Sequence, residues 1–431
     1  MQNFKKHIQQ IQKGGIVVVV KKLRSLFYLI LQIPIYLISV PTVIIIRLIR
    51  PWFLIRWQEL VSSRIGHFAA NTELYCCERD AGINTPSQRY LDVFYLRKYV
   101  CNRQLEKMWR RELTMLPRWL LFPLFIVNRF ISRFVSGGNY HEIGNTNSDR
   151  DVYNLLDQSK PHINFTDDEE VEGKKMLTKF GISQDAKFVC LIVRDSAYLD
   201  KNKKYTLRDW SYHSYRDGDI DKYVLAAEEL ARRGYYVFRM GAKVEKPIKS
   251  SNPKIIDYAN SKIRSDFMDI YLGAKCRFCI STAAGFDEIP TIFRKPIAYT
   301  GHMPIAHINT HNKETLILTK HHINKRNQKE LTVSEIFSSN VALCFSSADF
   351  ELNGIKLEDN SPKEIRDLAI EMDERLNGNW NETEEDILLQ KKFWLIFKKN
   401  IKNLNLKKPI HGKIKSKFGA KFLRENQNWI R

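Results

Sequence analysis

The chain has 431 residues, room for two or three domains, and its 44% of hydrophobic residues supplies a core large enough to exclude wholesale disorder. The formal net charge of +21 sits at the ends: residues 1–56 hold nine Lys or Arg and no acid, and residues 391–431 hold thirteen and only Glu425. The stretch 57–390 is balanced at 47 basic and 47 acidic residues, so the body lacks the basic stripe of a nucleic-acid-binding domain, and basic ends fit an anionic membrane surface instead. Seven cysteines, an odd number, with no secretory signal, point to free thiols in a reducing compartment.

In chain order, Ser25 to Ile46 is an uncharged stretch of 22 residues, long enough to cross a bilayer. Pro34 and Pro41 interrupt it, and both flanks are basic, which disfavours placing them on opposite sides of a membrane. A kinked re-entrant or in-plane segment is the first expectation, a spanning helix the second, a buried core helix the third. A second apolar stretch, Trp119–Val127, carries Arg110, Arg111, Arg118, Arg129 and Arg133 around it. It suits an interfacial surface and equally a core helix broken at Pro123.

From Lys187 onward, apolar runs alternate with helical periodicity. Strands are expected at 188–193, 235–238, 255–256, 277–280 and 296–299. Asp219 and Ser265 are expected to cap helices, and Gly234 to close one. This alternation predicts a parallel sheet with right-handed crossovers. Residues 362–404 read as helical, and the last 27 as a mobile basic tail. Cys276 and Cys279 read as small core residues of a strand.

Ligands of open parallel sheets bind at the carboxyl ends of the strands, and three predicted strand ends carry suitable residues. They are Arg194 after the first strand, Arg239 and Lys243 after the second, and Ser281, Thr282, Gly285, Asp287 and Glu288 after the fourth. Two guanidinium forks and a Ser/Thr/Gly turn opening a helix make a diphosphate cradle, with Asp287 or Glu288 accepting from ribose hydroxyls. In the N-terminal body, a turn at Gly66 presents His67 and Glu73, either of which suits a general base. Metal binding is not expected: Asp217-Gly218-Asp219 opens a helix rather than ending a strand, and His302, His307 and His311 have no completing carboxylate or thiolate. The Walker A, nucleophile-elbow and zincin signatures do not occur.

Four segments together resemble bacterial glycosyltransferases of surface-polysaccharide gene clusters. They are Arg64-Ile65-Gly66-His67 through Tyr75, His213–Asp217 with Tyr223, Gly234–Gly241, and Ser265 through Gly285. The Arg64–Gly66 turn is also similar to heptosyltransferase N-lobes, with His67 where those have Asp. The Val193–Asp195 and Ser281–Gly285 segments are similar to fucosyltransferase-type donor sites, without their double arginine. The resemblance implies a GT-B-like architecture of two Rossmann-like lobes with parallel sheets, which binds its donor without a metal or cofactor.

The expected organisation is a membrane-associated segment at 1–56, an acceptor-side lobe at 57–183, a nucleotide-sugar lobe at 184–345, C-terminal helices at 346–404 and a basic tail at 405–431. The expected function is metal-independent transfer of a sugar from a nucleotide-sugar donor to a glycan or lipid-linked acceptor, at the cytoplasmic face of the plasma membrane. A nucleotide-sugar epimerase and a non-enzymatic membrane scaffold of a polysaccharide assembly complex are the alternatives. An epimerase needs no membrane segment, and a scaffold predicts no nucleotide binding.

Overall fold

The structure, a computed structural model, describes residues 15–16, 18–20, 33–144, 150–200 and 211–431. The chain forms two compact units. The smaller comprises residues 1–60, 85–99 and 113–144, and the larger residues 61–84, 100–112 and 145–431. Residues 61–84, 100–112 and 145–183, expected within the acceptor-side lobe, therefore group with the larger unit.

The smaller unit is built on two parallel strands, β1 (Leu54–Leu60) and β2 (Tyr90–Leu96), joined in register from Leu54 opposite Tyr90 to Leu60 opposite Leu96. Against them lie the helix at 33–49 (α1) and a later helix at Arg118–Ile131. Val43 and Ile46 of the first, Leu121, Leu124 and Val127 of the second, and Trp57, Val93 and Tyr95 of the strands form one apolar cluster. Of the uncharged stretch Ser25–Ile46, residues 25–32 lie outside the described residues. The rest is helical with Pro41 inside. No described helix is long and apolar enough to cross a membrane.

The larger unit starts with α2 (Ile65–Asp80) and α3 (Arg103–Glu112); the smaller unit's Arg118–Ile131 helix is α4. α5 (Asp167–Lys179) opens on a capping box formed by Thr166 and Glu169. A seven-stranded sheet follows. Its strands are β3 (Phe188–Ile192), β4 (Tyr236–Arg239), β5 (Ile255–Ile256), β6 (Cys279–Ser281), β7 (Ile297–Tyr299), β8 (Leu316–Ile317) and a last strand at Lys417–Phe418. All pairs are parallel, in the order last strand-β8-β7-β6-β3-β4-β5. Every residue of β3 is buried, which is why its sequence is apolar without alternation.

Asp219 and Ser265 cap as the sequence predicts: Asp219 accepts from the Asp221 N–H, and Ser265 from Met268 at the start of a helix. The connecting helices are α6 (Ala197–Asp200), α7 (Val224–Arg232), α8 (Asp266–Lys275) and α9 (Glu288–Ile292). Gly234, at φ +97°, closes α7 in a conformation that favours glycine. Strand boundaries move by a residue or two from the sequence reading, and the helix after β6 is shorter than expected, ending at Ile292. A hairpin of β9 (His321–Asn324) and β10 (Ile355–Glu358) flanks α10 (Val333–Ser338) and α11 (Ser347–Leu352) in sequence. The helical stretch 362–404 is two helices, α12 (Pro362–Leu376) and α13 (Glu384–Asn403).

The expectation of a mobile tail at 405–431 is corrected. Residues Lys417–Phe418 (β11) pair with β8 at the edge of the sheet, and α14 (Ala420–Glu425) follows. The cause is apolar: Phe418, Phe422 and Trp429 are buried against Phe393, whose ring stacks on Trp429 at 5.7 Å. The lysines between these rings conceal the pattern in a charge count. Trp429→Ala should therefore cost about 3–5 kcal/mol of stability, seen in urea unfolding as a lower midpoint, whereas the exposed Lys407→Ala should leave it within about 0.5 kcal/mol.

Candidate functional site

The strand order reverses between β3 and β6: β4 and β5 extend to one side, β7 and β8 to the other. The crevice beyond the carboxyl ends of such a pair is where open parallel sheets bind ligands. The two strand ends are stitched together there. The Arg194 N–H donates to Thr282 Oγ1 at 2.9 Å, and the Gly218 N–H donates to the Arg194 carbonyl at 2.9 Å. Ser281 Oγ donates to Asp287 at 3.0 Å and accepts from the Ala284 N–H.

Three guanidinium groups converge on this point. Arg194 donates to the His213 carbonyl at 3.0 Å and pairs with Asp217. Arg216 donates to the carbonyl of Ala283, while its Nε is buried without a hydrogen-bond partner. Ala283 has φ +56°, a left-handed conformation that costs an alanine on the order of 1–2 kcal/mol. Burial, and then the charges of Arg194, Arg216 and Arg64, push the His213 imidazole down to about 4, so all three arginines contribute to one positive field. Burial also holds Arg194 below the ordinary arginine value, opposed by Asp217. Lys320 adds a fourth cation, donating to the Asp217 carbonyl at 2.6 Å and pairing with Asp359 at 2.8 Å.

Arg64 precedes α2, whose N-terminus has no side-chain cap and no acid in its first turn. That end is set against the turn after β6: a Cβ on Gly66 would lie 3.0 Å from the Gly285 carbonyl oxygen and 3.1 Å from its Cα. Only glycine lets the two backbones approach so closely. The uncapped N–H groups of a 16-residue helix thus join the arginines at the carboxyl ends of β3 and β6.

Of the sequence-predicted donor residues, Arg194, Ser281, Thr282 and Gly285 meet here. Asp287 is present but buried, bonded to Ser281 and pushed up to about 7 by that burial. It braces the turn rather than facing a ribose. Glu288 opens α9, and its side chain neighbours Gly66. His67 occupies the first turn of α2, half-buried, with Nδ1 3.4 Å from Asn71 Oδ1. Lys243 is exposed in the loop after β4.

Two predictions are corrected by burial. Arg239 ends β4 as expected but is 1% exposed, with Nη2 3.7 Å from Asp195 and 3.4 Å from the Lys246 carbonyl. Asp195 also accepts from the Ala197 and Glu245 N–H groups, so the pair ties the loops after β3 and β4 together. Glu73, expected to face a cleft as a base, is fully buried two turns down α2. It accepts from Arg294 Nη2 at 2.6 Å and bonds His162 Nδ1 at 3.0 Å, while His162 Nε2 reaches Asp80 at 2.9 Å. Glu73, Cys77 and His162 bring three ligand atoms within 4.8 Å of one another, and the Arg294 guanidinium already supplies the cation at that spot. Arg64 and Arg216 are the residues the strand-end argument missed. Arg216 ends a 3-10 segment and follows no strand, whereas Arg64 comes four residues after β1, a strand the sequence reading did not predict; the signal available for each was its place within a resembling segment.

No family model and no curated protein matches the chain. Among the solved structures similar to it are two glycosyltransferases. A glycosyl transferase family 9 protein from Veillonella parvula is 10% identical over 57% of this chain and 80% of its own, with a TM-score of 0.36. The ADP-heptose lps heptosyltransferase II of E. coli is 11% identical over 57% and 84%, with a TM-score of 0.35.

The Glu73 knot has a measurable pH signature. Burial alone lowers the His162 pKa, but hydrogen bonds with Cys77 and Glu73, the Glu73 charge and Asp80 outweigh it and raise it from 6.5 to about 10. A group raised on folding stabilises fully below its unfolded pKa and loses that contribution as pH rises through its folded one. Wild type should therefore exceed His162→Gln in stability at pH 6, and the gap should close between about pH 6.5 and 10. Chemical unfolding of both proteins across that range checks it.

Proposed function

We propose that the larger unit binds a nucleotide-diphosphate sugar and transfers its glycosyl group to a glycan or lipid-linked acceptor. The observation that carries this reading is the convergence of Arg64, Arg194 and Arg216 with an uncapped helix N-terminus at the reversal point of a parallel sheet. Such a set suits a diphosphate better than a monoanion. Several donors already carry full charge, and their geometry is fixed by backbone contacts rather than by long flexible stems.

In glycosyl transfer the bond between the anomeric carbon and the diphosphate oxygen breaks while the acceptor oxygen bonds to that carbon. Negative charge grows on the leaving diphosphate, and preorganised cations there lower the barrier. Three guanidiniums and the helix dipole supply that charge, which is the basis for reading the transfer as metal-independent. Arg194 and Arg216 would hold the phosphates, with Thr282, Ser281 and Gly285 shaping the turn beneath them. Glu288, at the start of α9 beside Gly66, would accept from a ribose. His67 is the group positioned to take the acceptor proton, now that Glu73 is engaged elsewhere.

The test is a thermal-shift and calorimetry panel of UDP, GDP, CMP and dTDP. Saturation at a hundred times Kd adds about 2.7 kcal/mol of apparent stability. One diphosphate should stabilise the protein. Each of Arg194→Ala and Arg216→Ala should weaken it roughly ten- to a hundredfold, the loss of a hydrogen bond to a charged group. Lys243→Ala should bind as wild type does. If no nucleotide binds, or if both arginine variants bind unchanged, the reading fails.

A further inference from the structure

We propose that the smaller unit docks onto an anionic lipid bilayer, with α1 and α4 lying in the plane of the membrane. The proposal rests on the outer faces of two helices and is independent of the donor chemistry.

Of the 29 exposed large hydrophobic side chains among the described residues, 20 belong to the smaller unit, which holds about a quarter of the chain. They are concentrated on α1, α4 and the segments that follow them. On α1, Leu37, Ile38, Ile45 and Leu48 face outward while Val43 and Ile46 are buried in the unit's core. Trp52, just after it, is 74% exposed. On α4, Trp119 and Phe130 face outward while Leu121, Leu124 and Val127 face the core, and Phe134 beyond its end is 76% exposed. Both helices are thus apolar on both sides, which water alone does not favour.

The two helices are fixed to each other. Arg47 of α1 donates to Asn128 Oδ1 at 2.9 Å, to the Asn128 carbonyl at 3.0 Å, to Ser132 Oγ at 2.6 Å and to the Val135 carbonyl at 3.1 Å. A helix buried along one side against its own unit cannot also be surrounded by lipid, so contact through one face is the geometry left to it. Spanning is disfavoured for the same reason.

The charge selects a membrane as the occupant. The smaller unit holds fifteen Lys or Arg and three acids, Glu59, Asp92 and Glu142. Each acid is already paired, Glu59 with Arg97 and Arg118, Asp92 with Arg56, and Glu142 with Arg129. By count the unit carries twelve more cations than acids, and six of its cations lie in residues 1–32. Exposed Trp and Phe beside unneutralised Lys and Arg is the composition of an interfacial contact with anionic lipid. A second copy of this chain would bring the same positive charge to the same face.

The test uses the full-length protein and vesicles of pure phosphatidylcholine or of phosphatidylcholine with phosphatidylglycerol, in a flotation assay. Wild type should float with the anionic vesicles, and 0.5 M salt should weaken the binding. Leu37→Glu with Leu48→Glu, and separately Phe130→Glu with Phe134→Glu, should each reduce partitioning at least tenfold. All these side chains are solvent-exposed, so thermal unfolding should stay at the wild-type value and nucleotide binding should be unaffected. Trp52 adds a direct readout: brominated lipid should quench wild type more than Trp52→Phe. The proposal is overturned if wild type does not float, if both double variants float as wild type does, or if the substitutions instead dissolve a dimer seen by light scattering.

Discussion

The candidate site depends on one close approach, that of Gly66 to Gly285. Two helix starts that would normally be held apart by side chains meet backbone to backbone there, since a Cβ on Gly66 would come within 3.0 Å of the Gly285 carbonyl oxygen. The meeting brings the uncapped start of α2 to the turn after β6. That turn is in turn pinned to β3 by Thr282 and held open by the strained Ala283. A larger residue at Gly66 would move α2 away, and with it Arg64 and His67. Much of the positive field therefore rests on an uncharged contact.

Charge in this molecule is sorted by burial. Two cations that structure the larger unit are taken below the surface and met by acids: Arg239 with Asp195 and Arg294 with Glu73. Breaking a buried pair leaves an uncompensated charge, at a cost of about 3–5 kcal/mol, so Arg239 and Arg294 are positions where substitution harms the fold before it harms any ligand. Pairing is incomplete for two arginines: Arg216 Nε, and Nε and Nη1 of Arg239, are buried without a hydrogen-bond partner.

The parallel sheet was legible in the sequence because buried strands must be apolar on both faces, and β3, β4 and β6 obey that locally. Caps were legible for a similar reason, since Asp219 and Ser265 act within a turn of where they stand. The site was half legible. Strand ends located Arg194 and Ser281–Gly285, but whether a strand-end side chain faces a crevice depends on the loop that covers it. For Arg239 the loop through Lys246 closes over the guanidinium. Glu73 was misread because its partner Arg294 lies 221 residues away, beyond any periodicity. Arg216 ends a 3-10 segment, where a strand-based rule does not look, and Arg64 follows β1, a strand absent from the sequence reading.

The two basic ends of the chain looked equivalent as composition and are not equivalent physically. At the C-terminus four of the thirteen cations find acids within the larger unit: Lys415 pairs with Asp157, Lys417 with Glu382, Lys421 with Asp367 and Arg424 with Asp386. Aromatic burial around Phe393 and Trp429 draws this segment onto the sheet, where these pairs form. At the N-terminal end the smaller unit has only three acids, all engaged, and beside its buried core it exposes a second set of large apolar side chains. Apolar surface and unneutralised charge of one sign on the same unit are each unfavourable in isolation. Together they are complementary to a surface that is apolar beneath and anionic at its edge, which is the physical ground for the proposed membrane contact.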